Sequence, residues 1–221
     1  VATTVGISRA AVRRALLTLA ELGYVSVDGK LYQLTPSVLR LGFSYISSQP
    51  LCQIAQSHID SLSEKFHESS SVTVLDGGEI VYVARAVARR IMSVWLNTGS
   101  RLPAYCTSMG RVLLSALGEP ELQRYFKATQ LIRYTDRTQT DEKEIRRVLD
   151  QVREKGYCIV DQEREIGLRS IAVPIRNRAG KVVAAMNLSG QSGRIELRQM
   201  RDEIRPALLA AAQSISSVVP E

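Results

Sequence analysis

Ser100 to Leu114, SRLPAYCTSMGRVLL, is the stretch of this 221-residue chain best equipped for chemistry, because it passes from a polar loop into a helix start in mid-chain. Pro103 drives Leu102 out of the helical region and, with Arg101, holds the approach extended. From Met109 the apolar residues Val112, Leu113, Ala116 and Leu117 recur at three- and four-residue spacing. That spacing predicts a helix beginning near Cys106 or Thr107 and stopped by Gly118 and Pro120. The backbone N–H groups of Ser108 and Met109 then stand at the helix N-terminus with the positive end of its dipole behind them, an arrangement that receives a carboxylate. An ordinary capped helix within an α+β core is the plainer reading of the same residues.

A different chemistry starts from Cys106. A thiolate is favoured near a helix N-terminus and would serve an acyl-transfer or hydrolytic enzyme as nucleophile. The base such an enzyme needs is missing, since the two histidines, His58 and His67, fall on or just beyond a helix read from Leu51 to Phe66. No Ser-His-Asp, metal-ligand or phosphate-loop pattern is present. The chain therefore reads as non-enzymatic, with no catalytic residue, no metal and no cofactor. Arg89, Arg90, Arg101, Arg111 and Arg169 could each reach an anion, and a di-acid would need one of them besides the helix end. Arg90, bordering the expected third strand of a sheet, is the choice among them.

Composition narrows the setting. Hydrophobic residues make up 45% of the chain, enough for a core, and no apolar run reaches the roughly 18 residues of a membrane span. Cys52, Cys106 and Cys158 are odd in number and lack C-x-x-C spacing, which argues against a disulfide framework or zinc site and for a reducing cytoplasm. The net charge of +7 permits a nucleic-acid partner, and its distribution says more than its size. The first 20 residues carry Arg9, Arg13 and Arg14 and no acidic residue, whereas later arginines are interleaved with Glu and Asp.

Residues 1 to 35 read as a winged helix-turn-helix. Ala2 to Val5 ends one helix, Gly6 turns the chain, and Ser8 caps a second helix whose apolar face is Val12, Ala15, Leu16, Leu19 and Leu22. Arg9, Arg13 and Arg14 stay off that face, as a recognition helix requires. Tyr24 to Val27 and Leu31 to Leu34, joined by Asp28-Gly29, make a hairpin wing in which Lys30 can touch the DNA backbone. Ser8, Arg9, Arg13, Arg14 and Lys30 are the candidate DNA contacts. Val1 falls inside the motif, so the pattern expects more chain upstream.

Residues 36 to 49 are expected to form a linker helix, Ser37 to Ser47, apolar on so many sides that it also packs against a second copy of the chain. Residues 50 to 221 are expected to be an effector-binding and oligomerisation domain. Ser71 to Leu75, Glu79 to Ala86 and Arg90 to Leu96 suggest an antiparallel meander; after the central helix come helices over Glu119 to Phe126 and Asp141 to Lys155. Strands resume at Tyr157 to Val160, Arg169 to Ile175 and Lys181 to Leu188, and a helical region interrupted at Pro206 closes the chain. About six antiparallel strands flanked by helices give an α+β sensor-like domain whose curved face could enclose a small pocket.

Three stretches together resemble the IclR family of transcriptional regulators: ISRAAVRRALLTLAELGYV at Ile7 to Val25, GSRLPAYCTSMGRVLLSAL at Gly99 to Leu117, and EREIGLRSIAVPIRNRAGKVVAAMNLSG at Glu163 to Gly190. The wording RIMSVWLNTGSRLPAYCTSMGRVLL resembles the branch that controls aromatic-acid catabolism through the β-ketoadipate pathway. The departure from the family pattern is the absent first helix and strand of the winged domain. The resemblance implies a GAF-like effector domain and a ligand between the sheet and the helix at Ser108: protocatechuate, 4-hydroxybenzoate or β-ketoadipate. It carries over Leu102, Ser108, Met109, Val160, Ser170, Asn187 and Ser189 as effector contacts, with Cys106 as a pocket wall. The implied partners are double-stranded operator DNA, a small organic acid, further copies of the chain in a dimer or tetramer, and RNA polymerase if the protein is an activator. A sensor acting through protein contacts alone is the alternative.

Overall fold

The computed structural model describes residues 1–88 and 96–219, which form two compact units, Val1–Gln49 and Pro50–Glu221. In the first, α1 (Ala2–Val5) ends at Gly6, whose φ of 70° is the left-handed conformation that lets the chain turn at once. Ser8 then caps α2 (Arg9–Glu21), its hydroxyl accepting from the Ala11 N–H at 3.3 Å. The strands β1 (Val25–Asp28) and β2 (Leu31–Leu34) pair antiparallel with Asp28 opposite Leu31, so the two turn residues are Gly29 and Lys30 rather than the expected Asp28-Gly29. Gly29, at φ 57°, takes the positive dihedral that a primed turn requires. Val12 is the one buried residue of α2, and Val25 of β1 is buried as well; Leu19 and Leu22, expected on the apolar face of α2, are 39% and 62% exposed. The helix α3 (Val38–Ser48) buries none of its residues and leaves Leu39 and Phe43 each 72% exposed.

The second unit opens with α4 (Pro50–Phe66), whose Leu51, Cys52, Ala55, Ile59 and Leu62 are buried at helical spacing. Its sheet comprises β3 (Ser69–Asp76), β4 (Glu79–Ala86), β5 (Arg101–Pro103), β6 (Cys158–Asp161), β7 (Leu168–Arg176) and β8 (Val182–Gln191). The order is β5-β4-β3-β8-β7-β6, antiparallel throughout. The expected strand from Arg90 to Leu96 falls almost wholly outside the described residues. Beside β4 lies β5 instead, on residues expected to be merely extended.

Between β5 and β6 run α5 (Ser108–Ser115), α6 (Glu119–Ala128) and α7 (Glu142–Lys155). Gly118 and Pro120 do not end α5: Gly118 caps α6 and Pro120 lies in its first turn, where a missing N–H is harmless. Asp141 caps α7 and Gly156, at φ 73°, ends it. After β8, α8 (Leu197–Gln199) leads through a π-turn at Met200–Ile204 into α9 (Arg205–Ser216). The helical run from Leu197 to Ser216 is thus interrupted by the π-turn that ends just before Arg205 and Pro206, where the sequence placed the interruption. The core on the inner face of the sheet joins Ile80 and Tyr82 to Met109, Val112 and Leu114 of α5, and to Ile145 and Leu149 of α7. Every residue of α5 is buried, so the helix sits inside the domain with its N-terminus against the sheet.

Candidate functional site

Thr107 places that N-terminus. Its backbone is extended, and its hydroxyl accepts from the Gly110 N–H at 3.2 Å while reaching the Pro103 carbonyl at 3.2 Å, which ties the helix start to β5. Gly110 lets the first turn lie directly on the preceding loop: a Cβ there would stand 2.1 Å from the Ala104 carbonyl oxygen and 2.4 Å from its Cα. No described residue accepts from the backbone N–H of Ser108 or Met109. Both residues line a cavity of about 60 Å³ between α5 and the sheet. By the 10–15 Å³ one water requires, that is room for roughly four waters, the scale of a small organic acid.

The sheet supplies the opposite wall in two rows that cross neighbouring strands. One row runs Arg85, Ser71, Asn187, Ala172; the next runs Ser69, Ser189, Ser170, Val160. Asn187 and Ser189, two apart on β8, share the face, as strand alternation demands. Ser170 bridges sheet and helix through a 2.9 Å hydrogen bond from its Oγ to Ser108 Oγ. Thr73 donates to the Met109 sulfur at 3.4 Å. Leu102, Cys106, Ser108, Met109, Val160, Ser170, Asn187 and Ser189 all line this one cavity. Arg90 lies outside the described residues. Ser8, Arg9, Arg13, Arg14 and Lys30 are exposed in the other unit, the three arginines along α2 and Lys30 in the hairpin turn.

The remaining arginines singled out from the sequence are engaged elsewhere. Arg101 donates to Glu79 and Asp76 at 2.7 Å each, Arg169 to Asp161 at 2.8 Å and to the Ile195 carbonyl at 2.6 Å. Arg111, 3% exposed, makes a two-pronged pair with Glu163 at 2.6 and 2.7 Å and donates to the Tyr105 carbonyl at 2.7 Å. Arg89, like Arg90, is not among the described residues.

The cations that do line the cavity are Arg85 and Arg164, which sequence reasoning missed. Arg85 donates to Ser71 Oγ at 3.1 Å and lies 5.5 Å from the Tyr82 ring centre; Arg164 stacks 4.2 Å from that of Tyr134. Arg85 could have been suspected as a cation set on a strand face otherwise bound for the core. Arg164 carried no signal, since it sits within EREIGLRS in a run of mixed charge. No acidic side chain is among the described residues lining the cavity. The Nε atoms of both arginines and Oδ1 of Asn187 are buried without a hydrogen-bond partner. Buried polar atoms are ordinarily paired, and three of the five unpaired ones among the described residues belong to side chains that line this cavity.

Burial pushes the Cys106 thiol up to about 11, against the pull of Arg164 and Arg111. It stays protonated near neutral pH, which fits a wall and not a nucleophile. Burial also raises the Tyr82 hydroxyl, although Arg85 and Arg164 both draw it down, which places both guanidinium groups within electrostatic reach of that side chain. Among the described residues no cluster of His, Cys, Asp or Glu is arranged to hold a metal ion, and no helix is long and apolar enough to cross a membrane.

Residues 43–217 match the family described as "Bacterial transcriptional regulator IclR C-terminal". The chain is 47% identical over 210 residues to the Pca regulon regulatory protein of Pseudomonas putida, covering 95% of this chain and 72% of that one. It is 38% identical over 224 residues to the p-hydroxybenzoate hydroxylase transcriptional activator of Acinetobacter baylyi, covering 99% and 83%. Among solved structures, a double mutant of the PobR inducer-binding domain from Acinetobacter, in complex with 3-hydroxybenzoic acid, superposes with a TM-score of 0.71. That match is at 34% identity over 74% of this chain and 96% of the other. These relatives are named as regulators of transcription, not as enzymes.

Proposed function

The chain belongs to the IclR family of effector-controlled transcriptional regulators, and from that membership we propose that a small carboxylic acid seated between α5 and the sheet controls its action on operator DNA. The observation that supports this most directly is that Arg85, Arg164 and Asn187, whose Nε, Nε and Oδ1 atoms are buried without a hydrogen-bond partner, all line one cavity. A carboxylate accepts from the Ser108 and Met109 N–H groups or from the arginines, while Asn187, Ser170 and Ser189 meet further polar groups of the ligand. Leu102, Met109 and Val160, with Cys106, pack against its carbon skeleton. The names of the relatives support an acid of aromatic catabolism: protocatechuate, 4-hydroxybenzoate or β-ketoadipate.

In this reading residues 1–35 bind DNA, residues 36–49 link, and residues 50–221 bind the effector and associate. Arg9, Arg13 and Arg14 enter the major groove on α2, Ser8 stands at its N-terminus, and Lys30 in the wing turn meets a phosphate. The exposed Leu39 and Phe43 of α3 are covered by a second copy of the chain, in a homodimer or a tetramer. The protein acts in the cytoplasm, and as an activator it would also meet RNA polymerase.

Thermal unfolding with each of the three acids, and with pyruvate as a non-aromatic control, tests the effector. A ligand at 100 times its Kd adds about 2.7 kcal/mol of stability. The expected result is a rise in midpoint with one of the three and little with pyruvate; no rise with any of them overturns the assignment. Operator binding should weaken with salt by about 0.9 log unit per log unit for each phosphate neutralised. A flat dependence removes α2 from the groove.

A further inference from the structure

The buried helix α5 has two ends, and each stands beside a hollow in the domain. The N-terminus borders the cavity described above. The other end, about 12 Å away at 1.5 Å per residue, brings Ser115 and Ala116 to a groove of about 330 Å³. Small-molecule sites ordinarily measure about 300–1,000 Å³. The apolar residues of the groove are Val112 of α5, Val152 of α7, Pro174 of β7 and Val182 of β8. Its charged residues are Arg153, Arg176 and Lys181, and no acidic side chain is among the described residues lining it.

The three cations are held in place without being neutralised by the groove itself. Arg153 donates from Nε to the Ser115 carbonyl at 2.6 Å and pairs with Asp150, which does not line the groove. Arg176 donates to the Gly180 carbonyl at 2.9 Å. The Lys181 ammonium has no hydrogen-bond or ion-pair partner among the described residues. The turn between β7 and β8 that carries Arg176 and Lys181 is closed on itself. The Asn177 side chain accepts from the Lys181 N–H at 2.9 Å, the Asn177 carbonyl accepts from the Gly180 N–H at 2.9 Å, and Gly180 has φ 80°. Beside it β8 bulges, since Ile175 faces Ala184 while Arg176 faces Val182, and the next residues, Val182 and Lys181, both line the groove. The carbonyl ends of α5 and α7 offset about half a charge each, which leaves the groove positive.

We propose that this groove is a second ligand site, separate from the cavity at the other end of α5, and that it takes an organic phosphate. A phosphate monoester presents three charged oxygens, which two guanidinium forks and an ammonium can share. The apolar residues pack against the organic part. A single carboxylate, with two oxygens and one charge, leaves at least one of the three cations unmet.

Isothermal titration of the full chain with phenyl phosphate, inorganic phosphate and phenol at fixed ionic strength tests this. Phenyl phosphate is expected to bind at least tenfold more tightly than either of the others, because only it engages both the cations and the apolar residues. Arg176→Gln and Lys181→Gln should each weaken it about tenfold, the lower end of the worth of a charged hydrogen bond at an exposed position. Arg176→Lys, which keeps the charge, should lose less. Ser108→Pro, at the far end of α5, should leave phenyl phosphate binding unchanged. Inorganic phosphate binding as tightly as phenyl phosphate would reduce the groove to an adventitious ion site and overturn the proposal. Loss of binding in Ser108→Pro, with the groove variants unaffected, would place phenyl phosphate in the other cavity and overturn it as well. Displacement of phenyl phosphate by a short DNA duplex whose own affinity falls in Arg176→Gln would assign the groove to nucleic acid instead. Should the glutamine variants fold poorly, the three ligands compared on the unaltered protein and on Ser108→Pro still decide.

Discussion

Arg111 and Glu163 face each other across 52 residues of sequence through two parallel hydrogen bonds of 2.6 and 2.7 Å, and they fasten the loop between β6 and β7 to the helix whose N-terminus opens on the cavity. The carboxylate also accepts from the Gln139 N–H at 2.9 Å, and the Thr138 hydroxyl donates to the Glu163 carbonyl at 2.6 Å. Arg164 owes its position to this clasp.

Glu163→Ala should leave Arg111 charged and buried without its partner. Removing one member of a buried ion pair costs about 3–5 kcal/mol, and the residual exposure of Glu163 places the loss near the lower figure. Denaturant unfolding measures it. An unchanged midpoint would mean that the clasp contributes nothing to the fold.

Gly110→Ala should be among the most damaging small substitutions in the domain. The added methyl would meet backbone atoms of Ala104 at 2.1 to 2.6 Å, and backbone cannot swing aside as a side-chain tip does. Overpacking costs about 1–3 kcal/mol, and it would lift the start of α5 off β5. A lower thermal midpoint together with weakened acid binding is expected.

Ser108→Pro separates fold from function at the helix end. Ser108 is the first residue of α5, where proline is well tolerated, and Thr107 before it already has φ −120° and ψ 147°, the extended conformation that a following proline favours. The substitution removes the N–H of Ser108, a residue that lines the cavity, and the Ser170–Ser108 hydrogen bond. The unliganded midpoint should move by only a few degrees, about 1 kcal/mol of stability. The ligand-induced rise should disappear, and its persistence would place the carboxylate away from the helix end.

Asp161 carries an acid sensitivity. A hydrogen bond from Arg169, at 2.8 Å, holds its carboxyl below the usual carboxylate range, with further help from Gln162 and Arg137. A depressed folded-state pKa contributes stability that is present above the unfolded value, about 3.9, and is lost as pH falls through the folded value. The midpoint difference between wild type and Asp161→Asn should therefore be largest near pH 6 and shrink below about pH 4. A difference that stays constant down to pH 2 would assign it to packing.

Local signals carried much of this molecule. Asp141 and Gly156 bracket α7 because a short acceptor side chain fills orphan N–H groups and only glycine enters the left-handed region without strain. The alternation of β8 was enough to put Asn187 and Ser189 on one face, and the extended approach with a capped start located the N-terminus of α5 to within a residue. Family resemblance then joined these separate stretches into one pocket wall. Element ends were harder to read: Pro120 suits the first turn of a helix as well as a proline disrupts its interior, and spacing alone does not distinguish the two.

Which arginines remain for a ligand was decided only in three dimensions. Arg101 is satisfied by Asp76, 25 residues away, Arg111 by Glu163, 52 away, and Arg169 by Asp161 on the neighbouring strand. Arg85 and Arg164 look no different from these in the sequence. A charge is neutralised by whatever the fold brings within a few ångströms, and that distance is set by strand order and helix packing rather than by position along the chain.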